Sequence, residues 1–416
     1  MKICEQHWFS KLNRPSRYLD NEINTICKDL SKTEISMALV FPDVPEVGMS
    51  HLGLKIIYHL LNRRDWLAAE RVFSPWPDLE NELRHHNVPL TAWESGRALR
   101  EFDLIGFSLQ HELSYTNVLN VLDLSNLPFL ARDRGEDDPL IIAGGPACFN
   151  PEPVADFFDI MVIGDGEAVS LEICSAVRDA KRSIDAKKRD ILERLSHIRG
   201  VYIPSFFEPR YEPDGRIAQI IPKHKDYQWV DKAILSRLDT IPYPENPIVP
   251  FTELVHDRVA VEISRGCTRG CRFCQAGMIY RPVRERSPDS IIHIAEKTLK
   301  HTGYEDLSLL SLSSGDYSHI GSLLCALMDR HSPDHTGISL PSLRVDSLDA
   351  DMMAQIKRVR KTGFTLAPEA GNNRLRRVIN KGLTQSDILE TAKIVYQSGW
   401  KLIKLYFMIG LPFEED

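Results

Sequence analysis

The sequence predicts an α/β protein in two parts, an open parallel sheet followed by a (β/α) barrel or part of one. Three observations carry that expectation. Compact apolar runs alternate with amphipathic segments from Ile35 onward; the rhythm breaks over a proline-rich stretch, and it resumes at Val259. Strand–helix alternation of this kind builds parallel sheets with helices packed on their faces. The 416 residues give room for two to three domains at the usual ~100–200 residues each. An apolar fraction of 43% is enough for proper cores.

Residues 1–30 read as a polar N-terminal arm anchored by Trp8, Phe9 and Tyr18, and residues 31–176 as a Rossmann-like domain. Ile35–Phe41 is its first strand candidate, and His51–Leu61 a helix with apolar residues at helical spacing. Asp103–Leu109, Leu140–Ala143 and Met161–Ile163 suit buried parallel strands, with helices at Tyr115–Leu122 and from Glu167 onward. Residues 177–252 read as a connector. It starts with a charged helical run, Ala180–Leu195, and continues through Pro204, Pro209, Pro213 and the dense Pro242–Pro250. Prolines this close disfavour helix interiors and central strands, leaving a small hairpin around Asp214-Gly215.

Residues 253–416 form the second domain. Strand candidates fall at 259–263, 306–312, 337–340, 363–366 and 401–409, with helices at 288–300, 318–329, 350–360 and 386–398. Ser287-Pro288 marks an N-cap followed by proline at the first helical position. Thr384 to Asp387 has the form of a capping box. Successive right-handed β/α units curl into a barrel or part of one.

A net charge of −7 provides no global basic field for nucleic acid or an anionic membrane. The first residues lack the apolar core of a secretory signal, and no run approaches the ~18 apolar residues of a membrane span. Eight cysteines, three of them clustered, fit a reducing cytoplasm with metal chemistry. Cys4, Cys27, Cys148, Cys174 and Cys325 are scattered and read as ordinary thiols.

The chemistry concentrates in Cys267, Cys271 and Cys274, spaced C-x3-C-x2-C directly after the first strand of the second domain. Three thiolates with no local fourth ligand suit a [4Fe-4S] cube that leaves one iron open. Structural zinc would want a further Cys or His pair, and none follows: His293 sits inside a helical stretch and Cys325 stands alone.

Ser264 to Cys274, with Phe273 as the aromatic before the last cysteine, resembles the signature of the radical S-adenosylmethionine (SAM) superfamily. The resemblance implies that the open iron chelates SAM and that one electron cleaves it to methionine and a 5′-deoxyadenosyl radical. It also implies a six-unit partial barrel. Five strands are counted, so the sequence is expected to end inside that domain.

In such barrels functional groups gather at the carboxyl ends of strands. Ser313-Ser314-Gly315-Asp316 stands where the superfamily has a Gly-Gly-Glu-type motif for the SAM amino group; a plain turn is the bland alternative. Arg344 is a candidate partner for the SAM carboxylate, with a surface arginine as the alternative. Ala367 to Leu375 resembles a Glu-Ser-Gly segment of radical SAM proteins, which carries over Glu369 and Arg374. Tyr406 to Pro412 matches an Ile-Gly-x-Pro ending, so Ile409 and Gly410 are expected to pack the adenine.

Arg265, Arg269, Arg272, Arg281, Arg284 and Arg286 face only Glu285 among acids in the same stretch. They would offset the charge of a cluster with bound SAM, or draw a phosphate-bearing substrate such as RNA. No aromatic–basic interleaving marks a stacking platform.

The first domain resembles the cobalamin-binding type that precedes many radical SAM cores, with small-residue turns at Phe107–Leu109, Gly144–Pro146 and Gly164–Glu167. Short loops favouring glycine are the alternative. Segments at 15–18, 41–53, 73–78, 112–115 and 134–138 are similar to one bacterial family of cobalamin-domain radical SAM proteins with no assigned substrate. His51 is not expected to ligate cobalt: Met49 and Leu54 stand where the Asp-x-His-x-x-Gly motif needs Asp and Gly.

The expectation is therefore a cytoplasmic radical SAM enzyme using a [4Fe-4S] cluster, SAM and, as a further candidate, cobalamin. Methyl transfer to an unactivated carbon is the first reaction considered. Methylthiolation or another radical modification of RNA or protein is the alternative, and a non-catalytic iron–sulfur or corrinoid redox module the rival. An electron donor such as flavodoxin or ferredoxin is implied.

Overall fold

The computed structural model describes residues 2–183, 187–341, 343–345, 350–359 and 363–415. Ile184–Ala186 of the expected charged helix, Ser342, and Arg360 at the expected end of the helix over 350–360 lie outside the described residues. Two compact units divide the chain: residues 1–235 with 247–256, and residues 236–246 with 257–416.

The first unit is built on a six-stranded sheet: β1 (Ile35–Phe41), β2 (Leu67–Phe73), β3 (Leu104–Ser108), β4 (Leu140–Gly144), β5 (Ile160–Val162) and β6 (Val201–Tyr202). Their order is β2-β1-β3-β4-β5-β6, parallel except for β6. The chain runs outward from β1 to β2, then returns to lay β3 on the other side. That reversal opens a crevice at the carboxyl ends of β1 and β3, where sheets of this type bind ligands. Helices α1 (Pro45–Gly48), α2 (Leu52–Asn62), α3 (Pro77–His86), α4 (Tyr115–Leu124), α5 (Gly166–Lys181) and α6 (Lys188–Leu195) fill the connections.

β2 and α3 escaped the sequence reading. The strand Leu-Ala-Ala-Glu-Arg-Val-Phe is buried throughout, yet Glu70 and Arg71 break its apolar signal. Arg71 is tolerated there because Glu22 and Glu94 flank it at 2.8 and 2.7 Å. The N-terminal arm is also no loose appendage: Trp8, Leu12 and Tyr18 are buried in the first unit's core.

The connector region is structured as well. β6 extends the main sheet, and the expected hairpin forms from β7 (Phe207–Tyr211) and β8 (Ile217–Pro222). Most of its prolines fall in loops and at strand margins, while Pro209 stands mid-strand in β7 opposite Ile220, so they do not mark a linker. The boundary consequently lies near residue 235, with Pro247–His256 returning to the first unit.

The second unit contains β9 (Val259–Glu262), β10 (Ser264–Arg265), β11 (Arg284–Glu285), β12 (Asp306–Leu310), β13 (Gly337–Ser339), β14 (Phe364–Glu369) and β15 (Ile403–Phe407). β9, β12 and β13 form a parallel sheet in the order β13-β12-β9, while β14 and β15 form a parallel pair. Its helices are α7 (Ala276–Ile279), α8 (Pro288–Thr302), α9 (Ile320–His331), α10 (Ala350–Ile356), α11 (Asn373–Val378) and α12 (Gln385–Gln397). Both expected helix starts form: the Ser287 hydroxyl accepts from the Ser290 N–H at 3.4 Å, and Thr384 and Asp387 make a reciprocal capping box. No helix among the described residues is long and apolar enough to cross a membrane.

Candidate cofactor site

β9 delivers the chain into the cysteine loop. The loop is closed at its base by the antiparallel pair β10–β11. Gly266 has φ +93°, and a Cβ there would lie 2.6 Å from the Tyr280 carbonyl oxygen and 2.8 Å from that of Pro282. Only glycine fits this close approach. Buried Arg284 collects the same two carbonyls, at 3.1 and 3.0 Å. Arg286 donates to the carbonyls of Glu262 and Leu238 at 3.1 and 2.9 Å, and Arg265 forks onto the Glu262 carboxylate with both bonds at 2.9 Å. These three arginines thus build the loop's frame. The expectation of a set of charges facing a ligand does not hold for them.

Cys267, Cys271 and Cys274 are free thiols, each partly exposed. The Arg269 N–H donates to the Cys267 sulfur at 3.5 Å. No three His, Cys, Asp or Glu among the described residues converge as one metal ion requires. A cube makes a different demand, because each thiolate binds a separate iron. Three accessible thiols on one glycine-shaped loop fit that demand.

Two elements grip the loop. From the β12 side, Asp316 takes the Arg269 guanidinium on both carboxylate oxygens, with the Nε–Oδ2 distance at 2.8 Å. That hydrogen bond holds the Asp316 carboxyl below the usual carboxylate range. From the other side, the end of α11 receives the Arg272 N–H on the Ile379 carbonyl at 3.0 Å. The Arg272 guanidinium reaches the Val378 carbonyl, and Asn380 Nδ2 donates to the Gly270 carbonyl at 2.9 Å.

The other expected SAM contacts are placed as follows. Ser314 is fully buried, with its hydroxyl directed to the Leu309 carbonyl at 3.3 Å, so it shapes the turn Ser313–Asp316 from inside. Gly315 lies in that turn. Glu369 ends β14 at φ +68°, a conformation uncommon for a non-glycine residue, beyond a register shift after Leu366. Its carboxylate pairs with Lys381 at 3.2 Å. The Lys381 ammonium also lies 5.9 Å from the ring centre of Phe273, and the Lys381 carbonyl accepts from Arg344 at 3.3 Å. Glu369, Lys381, Phe273 and Arg344 therefore form one constellation beside the cysteine loop. Exposed Arg374 donates instead to the Phe413 carbonyl at 3.0 Å. Ile409 is 97% exposed past the end of β15, and Gly410 turns there at φ +80°.

Sequence reasoning missed Lys381 because it missed α11. The signal was present in Asn372, whose side chain caps that helix by accepting from the Leu375 N–H at 2.9 Å.

In the first unit, the turns at Gly145 and Gly164 have internal reasons to be glycine. A Cβ on either would lie within 2.4 Å of a backbone oxygen, of Leu109 or of Ala233 respectively. Gly144 is different, since nothing lies within 4 Å of where its Cβ would stand. His51 caps α2, its Nδ1 accepting from the Leu54 N–H at 3.3 Å, and burial pushes its pKa down to about 4.

The family comparisons agree with this architecture. A family model described as "Radical SAM proteins, N-terminal" matches residues 53–204, and one described as "Radical SAM superfamily" matches residues 261–416. The chain is a radical SAM protein. It is accordingly an enzyme of the radical SAM class, and the [4Fe-4S] cluster and SAM are the cofactors that class uses. The uncharacterized protein MJ0966 of Methanocaldococcus jannaschii is 28% identical over 384 residues, 92% of this chain and 71% of its own length. The ribosomal protein uS12 methylthiotransferase RimO of a Thermotoga species is 25% identical over 167 residues, 37% of this chain and 38% of its own.

Among solved structures, the radical SAM methyltransferase TsrM from Kitasatospora setae, with cobalamin and a [4Fe-4S] cluster bound, superposes with a TM-score of 0.59. Sequence identity is 15%, covering 91% of this chain and 67% of TsrM. The cobalamin-dependent SAM radical enzyme OxsB gives a TM-score of 0.58 at 13% identity, covering 90% of this chain and 49% of its own. At such identities the likeness is one of fold.

Proposed function

We propose that this radical SAM enzyme is cobalamin-linked and transfers a methyl group to an unactivated carbon. The carrying observation is the pairing, in one chain, of a doubly wound sheet with a switch point at β1/β3 and a unit bearing the three-cysteine loop. The folds of TsrM and OxsB, both crystallised with cobalamin, support the reading. The partial barrel belongs to it as well, with the parallel sheet β13-β12-β9 and the separate parallel pair β14–β15 as its parts.

When bound, the cluster supplies one electron for SAM cleavage, and cobalamin supplies a methyl carrier. The chain's own residues do the rest. Cys267, Cys271 and Cys274 hold iron. The Glu369–Lys381 pair offers opposite charges to the amino and carboxylate groups of SAM, and Phe273 shields the adjoining side. Gly144 leaves room at the carboxyl edge of the first sheet for a planar corrin. His51 is engaged as the cap of α2, so it would not serve as a ligand to cobalt if cobalamin binds. An external one-electron donor of flavodoxin or ferredoxin type completes the cycle.

Methylthiolation is a second reading, favoured by the match to RimO. It needs a sulfur source. Among the described residues no three ligands converge at the remaining cysteines: Cys148 and Cys174 are buried, Cys4 is partly exposed, and Cys27 and Cys325 are exposed.

Anaerobic reconstitution with iron, sulfide and hydroxocobalamin tests the proposal. After gel filtration the protein should retain corrinoid. Dithionite and methyl-labelled SAM should then yield 5′-deoxyadenosine and label on the corrinoid. A protein that makes 5′-deoxyadenosine but retains no corrinoid would overturn the cobalamin assignment.

A further inference from the structure

We propose that Asp316 is a positioning residue for the cluster, acting through Arg269 on Cys267, and does not contact SAM. The inference rests on the cofactor reading above and assigns one acid within it. Both Asp316 oxygens are engaged by one guanidinium, Nε at 2.8 Å and a terminal nitrogen beside it. A fork of this kind fixes direction as well as distance.

Arg269 lies two residues after Cys267, and its backbone N–H is the group that reaches the Cys267 sulfur at 3.5 Å. Fixing its side chain from the β12 loop therefore fixes that peptide on the sulfur. Hydrogen bonds to ligating sulfurs help set the potential of an iron–sulfur cluster, and removing one makes the cluster harder to reduce. The loop's other flank is secured independently, through Arg272 and Asn380 at the end of α11. Asp316 thus governs the Cys267 end, while Cys271 keeps its place without it.

The test uses the full chain, reconstituted anaerobically, as wild type, Asp316→Asn, Asp316→Ala, Arg269→Ala and the Asp316→Ala/Arg269→Ala double variant. Cluster midpoint potential is read by redox titration with EPR, cluster stability by iron release to a chelator, and SAM affinity by equilibrium dialysis. Each single variant should shift the potential in the negative direction and lose iron severalfold faster. The double variant should go no further than either single, because one contact cannot be lost twice. SAM affinity should change by no more than about twofold, whereas removing a direct charge-assisted contact would cost about tenfold or more.

Asp316→Asn keeps the shape of the side chain, so it serves if the alanine variants fail to fold. Unshifted potentials in variants with full clusters would overturn the inference. So would a tenfold loss of SAM affinity in Asp316→Asn. A wild-type chain that assembles no cluster would instead overturn the cofactor reading on which the inference rests.

Discussion

Arg71 is buried on β2 between Glu22 and Glu94, with the rings of Tyr58 and Trp93 5.6 and 5.4 Å away. A charge buried this deeply persists only while its partners neutralise it. Glu94→Ala should therefore destabilise the fold by about 3 kcal/mol in urea unfolding. A loss under about 1 kcal/mol would mean that water or Glu22 takes over. His51 makes an acid-side prediction. Its pKa is about 4 in the fold against 6.5 unperturbed, so the unfolded chain binds the proton first. Its contribution is fully present above pH 6.5 and is lost as pH falls toward about 4. His51→Gln should flatten the stability profile across that window, and an unchanged slope would show that the imidazole is hydrated. Cys271→Ala should abolish the cluster's visible absorption and SAM cleavage together, and a full cube in that variant would refute the ligand set.

At the scale of elements, the loop after β9 is held by backbone geometry as much as by side chains. Gly266→Ala would place a methyl 2.6 Å from the Tyr280 carbonyl oxygen, so reconstituted iron content should fall sharply while the first unit's sheet is unaffected. Wild-type iron loading in that variant would show that the loop can shift. At α12, Thr384→Ala removes the hydroxyl that accepts from the Asp387 N–H and leaves the Thr384 N–H on the Asp387 carboxylate, with an expected loss of about 1 kcal/mol. Elements legible from residue chemistry alone include β1, β3, β4, α8 and α12, whose apolar spacing and caps are local. β2 and α11 were not legible. The first hides a buried charge inside a strand, and the second is six residues long with three arginines in it, one of them the buried Arg376. Arg376 fits because the carbonyls of Ala370 and Leu383 accept from it at 2.7 and 3.1 Å. Those carbonyls are supplied by the fold.

For the whole molecule, the two units carry separate parts of the proposed chemistry. The cysteines belong to the second unit and the doubly wound sheet to the first. Cys271→Ala should accordingly remove the cluster and leave corrinoid retention after gel filtration intact. Loss of both together would show that the sites depend on each other.

The amino-acid sequence by itself determined the class of chemistry. Thiol spacing after a strand is a local property, and three thiolates on one short loop suit a cube with one open iron. Strand–helix alternation likewise determined that parallel sheets would form, because apolar runs have nowhere else to go. Tertiary structure alone decided what the charged residues do. Arg265, Arg284 and Arg286 read as a patch in one dimension and became the frame of a loop once the Glu262 carboxylate held the first and carbonyls from 238, 262, 280 and 282 the other two. Asp316 gains a partner no spacing announces, Arg269, 47 residues earlier. Lys381 carried no signal until α11 brought it to Glu369 and Phe273. A charge takes its role from whatever lies within a few ångströms, and those neighbours come from distant parts of the chain.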